Sequence, residues 1–313
     1  MRILNHAIHR MKQFIKKVLY AISASAREFR YAAAKMQYTL AGHAHKPHFS
    51  HPRETGLIVI DPHNNNTAIQ LPPDYLQLID TINEGLHKKM SIAKNCIYYL
   101  EDKDAKKRLD AGEGLPESTW DLQEFHDGAI ATIRSKECHD IEGIEALCQK
   151  VMPEVEKYIY GSHVEVASSF TEMKFVTRQT IAKGGLFHSD RHYEDTIRMI
   201  IYMSDVDEDN APFEYLRHKE TKQTVRIKVA DHPRYTRNGR IPEEVLNDYV
   251  DNGYERIKIT GKKGTAVLFD SKIIHKANTP KNGSRVVLVL PIRPSIFKPA
   301  RYVDPRHVEG VYV

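Results

Sequence analysis

The chain has few cysteines, no long apolar run and no large excess of either charge. Cys96, Cys138 and Cys148 are the three cysteines in 313 residues. Their spacing matches neither a thiolate metal site nor a disulfide framework, so a reducing compartment is expected. No apolar stretch approaches the roughly 18 residues that a membrane-spanning helix needs, and a charged content of 28% argues against a body buried in lipid. The formal charge of +5 permits an anionic substrate or an acidic surface. At this length it does not point to nucleic acid, and no aromatic-basic platform for single strands stands out. Two catalytic signatures are missing as well. Gly184-Gly185 is not followed by the glycine and lysine of a phosphate loop, and no helical two-histidine-and-glutamate zinc motif occurs. What remains is the composition of a folded chain, long enough for one large domain with elaborations or two modest ones.

The basic residues are unevenly placed. Residues 1–40 hold Arg2, Arg10, Lys12, Lys16, Lys17, Arg27, Arg30 and Lys35, with Glu28 as the one acid. Within them Ile8, Met11, Ile15, Val18, Leu19 and Ile22 recur at helical spacing. The pattern predicts a basic amphipathic helical segment packed on the domain. The second reading is a helix lying on an anionic membrane surface, giving a cytoplasmic protein with peripheral contact at the inner membrane face. A cleaved leader is the third: Ala24-Ser25-Ala26 has the small-x-small form, but Lys16 and Lys17 break the apolar region ahead of it. Residues 41–58, with Gly42, Pro47 and Pro52, read as a linker. His43, His45, His48 and His51 in it are irregularly spaced and lack a partner carboxylate, so solvated histidines are expected rather than a metal site.

Residues 59–313 read as one domain. Leu57-Ile58-Val59-Ile60 is a short buried-strand candidate. Pro72-Pro73-Asp74 opens a helix with Tyr75, Leu76, Leu78, Ile79, Ile82 and Leu86 at core-like intervals. Residues 102–112 read as loop, and 121–152 as mostly helical, with Ile130, Ile133, Ile141, Leu147 and Val151 as core. From about residue 159 the character changes. Val164 and Val166, then Met173, Phe175 and Thr177, alternate as strands do. Ile197–Met203, Gly264–Asp270 and Val286–Pro291 are apolar strand-like runs. Many strands with irregular excursions predict a mainly β fold with flanking helices, a barrel or jelly roll rather than alternating βα units.

Chemistry concentrates in Gly184-Gly185-Leu186-Phe187-His188-Ser189-Asp190 and in Phe269-Asp270-Ser271-Lys272-Ile273-Ile274-His275. On a strand, residues two apart share a face, so His188 and Asp190 can offer an imidazole and a carboxylate to one ion. His275, between two predicted strands, is the best third ligand. Two histidines and one carboxylate hold iron(II) on one face and leave positions open for substrate and O2. His192 extends the same alternation and is read as a pocket residue, since a fourth protein ligand would consume an open position. Asp270 is read as ordering its turn or a histidine tautomer. Arg285, ten residues past His275, is placed either to grip a carboxylate beside the metal or to form an ordinary ion pair.

With these residues in this order the chain resembles the phytanoyl-CoA dioxygenase-like (PhyH) branch of the Fe(II)/2-oxoglutarate oxygenases, over roughly residues 175–220 and 260–292. Leu186–Asp190 looks like that family's first-ligand strand, Ile197–Val206 like its next core strand and turn, and Asp209-Asn210-Ala211-Pro212-Phe213-Glu214-Tyr215 like its asparagine-glycine-proline segment, with Ala211 where glycine is usual. The resemblance implies a double-stranded β-helix (a cupin-like jelly roll), metal ligands His188, Asp190 and His275, and Fe(II), 2-oxoglutarate and O2 as cofactor, cosubstrate and oxidant. Arg285 would grip the far carboxylate of 2-oxoglutarate, for which a planar bidentate fork suits better than lysine. Thr177, Tyr202 and Arg198 are secondary candidates for the cosubstrate pocket, the first two equally readable as ordinary strand residues and Arg198 as the partner of a structural acid.

The implied reaction is hydroxylation of an unactivated C–H bond, with succinate and CO2 as coproducts. Asp190 occupies the position that related halogenases leave open, which favours hydroxylation over halide transfer and leaves desaturation, ring formation and demethylation as further outcomes. The basic excursion at 217–240 (Arg217, His218, Lys219, Lys222, Arg226, Lys228, Arg234, Arg237 and Arg240) favours a small anionic metabolite, although it also fits a solvated hairpin. The basic N-terminus favours the alternative, a membrane glycolipid or acyl lipid, and a coenzyme-A thioester is a further option. A noncatalytic metal-binding scaffold of the same fold, and a cupin-like iron enzyme independent of 2-oxoglutarate, are the competing classes. No oligomeric state is read from the sequence.

Overall fold

In the computed structural model the described residues are Phe29, 31–43, 57–63, Ile69, 71–86, 141–166, 186–190, 196–227, 240–278 and 285–303, with the backbone alone of 130–134, 170–176 and 284. In chain order the helices are α1 (31–40), α2 (75–86), α3 (Ile144–Val155) and α4 (Glu243–Asp251). The strands are β1 (Leu57–Ile60), β2 (Ile130–Arg134), β3 (His163–Val166), β4 (Phe170–Val176), β5 (Ile197–Tyr202), β6 (Phe213–His218), β7 (Tyr254–Ile259), β8 (Ala266–Asp270), β9 (His275–Ala277) and β10 (Ser284–Ser295).

Two antiparallel sheets result. The larger runs β1-β8-β5-β10-β4-β2, with β3 also paired to β10, and the smaller runs β7-β6-β9. The long β10 is the spine: Leu288 stands opposite Ile201 of β5 and Thr171 of β4. This is a mixed α/β fold with antiparallel sheets of the cupin type. Among the described residues the sheets do not close into a barrel.

Side-chain alternation explains the layering. Met199, Ile201, Ala266, Leu268, Val286, Leu288, Leu290 and Ile292 pack with Ile79, Ile82, Leu147 and Val151 of the helices. Their intervening neighbours Ile200, Tyr202, Val267, Phe269, Val287 and Val289 pack with Phe213, Tyr215 and Ile259 of the smaller sheet. Strands covered on both faces need apolar residues at every position, which is why β8 and β10 read as unbroken apolar runs. Each such side chain, fully buried, contributes about 1.5–3 kcal/mol.

The helices form for local reasons. In α3, Ile144, Leu147, Cys148, Val151, Met152 and Val155 are buried at intervals of three and four, the stripe that a helix turns toward a core. Pro153 lies inside it, and a π-helical turn (Glu156–Tyr160) follows. There the Tyr160 hydroxyl donates to the Ile292 carbonyl at 2.9 Å and accepts from the Ile197 N–H at 3.1 Å, joining the helical layer to β5 and β10. The α2 layer meets the turn before β8 at Gly264, whose carbonyl accepts from the Tyr75 hydroxyl at 2.8 Å. Gly264 has φ +91°, and a Cβ there would stand 2.7 Å from a Leu76 methyl, so the position takes glycine.

Several expectations change. Residues 130–134 are the edge strand β2, paired with β4, not helix. The helical reading holds for 144–155, and Ile141, Leu147 and Val151 are core. Val59 of β1 is 42% exposed, so that strand is an edge with Ile60 buried, rather than buried throughout. α4 was not expected; Pro242 ahead of Glu243 and Glu244 is a helix-start signal that the basic excursion before it obscures. That excursion begins as β6, turns at 219–221, and returns through bridges from Thr224 to Arg217 and from Arg226 to Ile273. Cys148 is a free, buried cysteine whose thiol pKa burial pushes up. Cys96, Cys138, residues 1–28, 102–112, His45, His48 and His51 lie outside the described residues, while exposed His43 stacks on Tyr38 at 4.7 Å between ring centroids.

Candidate metal centre

His188 and His275 face one another across a single antiparallel bridge. The His188 N–H donates to the His275 carbonyl and the His275 N–H to the His188 carbonyl, both at 2.9 Å. A pair that exchanges both bonds puts its two side chains on one side of the sheet. Two residues on, the Asp190 N–H donates to the Ser271 carbonyl at 2.9 Å, and the Ser189 hydroxyl, on the other side, donates to the Lys272 carbonyl at 3.0 Å. Residues 186–190 thus form an extended segment pinned by one bridge rather than a continuous strand, yet the alternation that joins His188 to Asp190 is kept.

The three side chains converge. His188 Nε2 lies 3.7 Å from Asp190 Oδ1, and His275 Nε2 lies 3.8 Å from Asp190 Oδ2. One donor atom from each residue falls within 4.8 Å of the others, and the imidazole centroids are 4.4 Å apart. Two imidazole nitrogens and a carboxylate oxygen this close can be shared by one divalent cation.

Each imidazole is oriented by the same device. Nδ1 of His188 donates to the Leu186 carbonyl and Nδ1 of His275 to the Ile273 carbonyl, both at 2.9 Å and both two residues back. With the proton on Nδ1, the Nε2 lone pair faces the carboxylate, the tautomer a metal requires. Burial drives the His188 pKa down to about 3, helped by the neighbouring His275 and Arg240 and opposed by Asp190. Burial also lowers that of His275, with Asp190 opposing and Arg198 and Arg240 assisting. Two neutral imidazoles and a carboxylate suit a borderline divalent cation, so the residues fit such an ion. The His275 ring is held by Phe213, stacked at 5.4 Å and 18°, and by Phe269 at 4.9 Å.

The remaining candidates divide. Arg198 Nε lies 3.0 Å from Asp190 Oδ2, an ion pair that braces the carboxylate. Tyr202 is fully buried in the inter-sheet core. Its hydroxyl donates to the Ile259 carbonyl at 2.8 Å and accepts from the Phe213 N–H at 3.2 Å, which ties the two sheets together. Burial raises its pKa, with Arg285 opposing. Arg285 is 2% exposed, on the face of β10 that looks into the inter-sheet space, and its Nη1 donates to the Ala211 carbonyl at 2.5 Å. Ala211 has φ +65°, a left-handed conformation that glycine adopts without strain. Asp270 orders its turn, accepting from the Lys272 N–H at 3.0 Å and pairing with Arg226 at 2.5 Å; it does not touch His275. His218 caps a turn through the Glu220 and Thr221 N–H groups, both at 3.2 Å. Thr177 and His192 lie outside the described residues.

Sequence reasoning names Arg240 only within the basic excursion at 217–240 and does not place it beside the histidines. The Ile241 N–H donates to the Phe187 carbonyl at 2.9 Å, which seats Arg240 beside the segment bearing His188. Its charge reaches both imidazoles, a proximity created by chain return that no local pattern encodes. Phe213 had been noted only as part of a motif, and its ring stacking on His275 had no sequence signal.

The family model described as "Phytanoyl-CoA dioxygenase (PhyH)" matches residues 103–286, more than half of the chain. No curated protein matches. Among solved structures, apo EctD from S. alaskensis is 16% identical, covers 80% of each chain and gives a TM-score of 0.44. The epimerase SnoN, solved with Fe3+, alpha ketoglutarate and nogalamycin RO, is 12% identical, with 79% of this chain and 83% of its own covered and a TM-score of 0.46. HygX from Streptomyces hygroscopicus, solved with nickel and 2-oxoglutarate, is 13% identical, with 81% and 93% covered and a TM-score of 0.40. Identities and scores this low say nothing about the substrate of this chain.

Proposed function

The chain belongs to the phytanoyl-CoA dioxygenase (PhyH) family, and from that premise we propose that it hydroxylates an unactivated C–H bond of a small anionic metabolite, with succinate and CO2 as coproducts. Family and triad together make it an Fe(II)/2-oxoglutarate-dependent oxidoreductase. The observation that carries the proposal is the convergence of His188, Asp190 and His275 with both Nε2 atoms presented. The facing antiparallel sheets support reading the fold as the double-stranded β-helix.

In this reading His188 and His275 would hold iron(II) through Nε2, with the Asp190 carboxylate as the third ligand. Iron(II) with 2-oxoglutarate supplies O2-dependent oxidation, and no side-chain nucleophile is required. Arg198 keeps the second Asp190 oxygen in place, a positioning role that matches the structural-acid pairing the sequence left open. Arg285 takes the far carboxylate of 2-oxoglutarate with its planar fork, set in depth by the Ala211 carbonyl. Tyr202 shapes the pocket wall, and Thr177 stays a candidate on strand spacing. Phe213 and Phe269 keep water from His275. Arg240, beside both imidazoles, supports an anionic primary substrate. The second reading, a glycolipid or acyl lipid, draws on the exposed apolar side chains of α1.

The test is an anaerobic screen of anionic metabolites with Fe(II) and 2-oxoglutarate, followed by O2 and product analysis. One succinate formed per oxygenated product is expected. Succinate formation that no anionic compound couples to, with coupling to a lipid instead, would replace the primary reading by the second.

A further inference from the structure

We propose that the outer face of α1, with the basic sequence leading into it, docks on an anionic lipid bilayer. α1 is held to the domain along one side. The Tyr31 hydroxyl donates to the Tyr160 carbonyl at 3.1 Å, and Ala34 and Tyr38 are buried. The other side carries Phe29, Met36 and Leu40, which are 76%, 66% and 76% exposed. Seven large apolar side chains are exposed among the described residues, and three of them fall within residues 29–40. Intervals of seven and four align them in one stripe. Single exposed apolar residues are ordinary, but an aligned row marks a contact surface. Phe297, 68% exposed, follows Ser295, the register partner of His163, whose ring packs on Tyr38. It therefore stands at the same end of the sheet.

Charge identifies the occupant. Residues 1–40 contain eight Lys and Arg and one acid, a balance of +7. The chain as a whole is +5 from 46 basic and 41 acidic residues, so the other 273 residues hold 38 basic and 40 acidic, a balance of −2. The entire positive surplus therefore belongs to the segment that ends in α1. The sequence there also continues the apolar spacing, with Met11, Ile15, Val18 and Ile22 at intervals of three and four, seven residues short of Phe29. An anionic bilayer satisfies both features: the apolar stripe enters the boundary between headgroups and acyl chains, and the cations meet the surface charge. A second copy of the chain would bring the same positive charge to this face and be repelled. This surface is independent of the oxygenase reading, and its test reads binding rather than turnover.

The full chain is floated with vesicles of phosphatidylglycerol and phosphatidylcholine, and with pure phosphatidylcholine vesicles. Recovery with the anionic vesicles should exceed that with neutral ones by at least about tenfold at low salt. Combining Phe29→Ser, Met36→Ser and Leu40→Ser should cut it by at least about tenfold, with circular dichroism and Tm unchanged. Phe29→Leu with Met36→Leu should preserve it. Recovery that ignores lipid charge, or a triple variant that floats like the wild type, would overturn the proposal. So would failure of the leucine variant to float, or a dimer abolished by the triple variant without any vesicle binding.

Discussion

A histidine offered to a metal must first settle which ring nitrogen carries the proton. His188 and His275 settle it through the carbonyls of Leu186 and Ile273, and Asp190 is steadied by Arg198. Substitution Asp190→Ala should therefore lower metal affinity by at least about a hundredfold, and Arg198→Gln by about 10–100-fold with the fold intact, both measured by anaerobic Mn(II) titration. The depressed histidine pKa values give a signed pH effect. Between about pH 6.5 and 3 the unfolded chain takes up protons that the metal-free fold refuses. The stability this contributes is complete above about pH 6.5 and is lost as pH falls toward 3. Denaturation midpoints of metal-free protein should fall from about pH 7 to about pH 5, and less steeply in His188→Gln; a flat profile in the wild type would contradict this. Ala211 adds a third residue-scale test. Its positive φ costs about 1–2 kcal/mol, which the greater backbone freedom of glycine offsets in part. Ala211→Gly should thus raise stability by up to about 1 kcal/mol, read as an increased Tm, and an unchanged or lowered Tm would count against strain at this position.

At the scale of elements, β8 and β10 separate a helix-packed face from a site-bearing face. Leu288 belongs to the first, opposite Ile201. Leu288→Ala should cost about 2–5 kcal/mol in denaturant unfolding, and a loss under about 1 kcal/mol would mean that the helical layer is not a close-packed core. These strands were legible because burial on both faces leaves a local trace, an uninterrupted apolar run. β2 was not legible. Ile130 and Ile133 are three apart, as on a helix, and the pairing that makes a strand there, Ile133 opposite Met173, comes from forty residues along the chain. His188 and Asp190 were legible as a pair because alternation is local. Their partnership with His275 rests on a single long-range bridge, and its sequence trace was motif order rather than periodicity.

For the whole molecule, a layer of helices, a large sheet and a small sheet enclose the triad where the small sheet meets the 186–190 segment. A ligand that binds only this assembled state must stabilise it: Mn(II) at about 100 times its Kd should add about 2.7 kcal/mol, and nothing in Asp190→Ala. The position of Arg240 beside the imidazoles and the aromatic packing around His275 lay beyond sequence reading, because only chain return brings them to the site. The most direct measurement is anaerobic calorimetry of Mn(II) and then 2-oxoglutarate on the wild type and on the Asp190→Ala, His275→Ala and Arg285→Leu variants. One metal per wild-type chain is predicted, lost in the two ligand variants. Arg285→Leu should retain the metal while 2-oxoglutarate binding weakens by at least about tenfold. Metal retained without Asp190 and His275, or 2-oxoglutarate held as tightly without Arg285, would contradict the assignment.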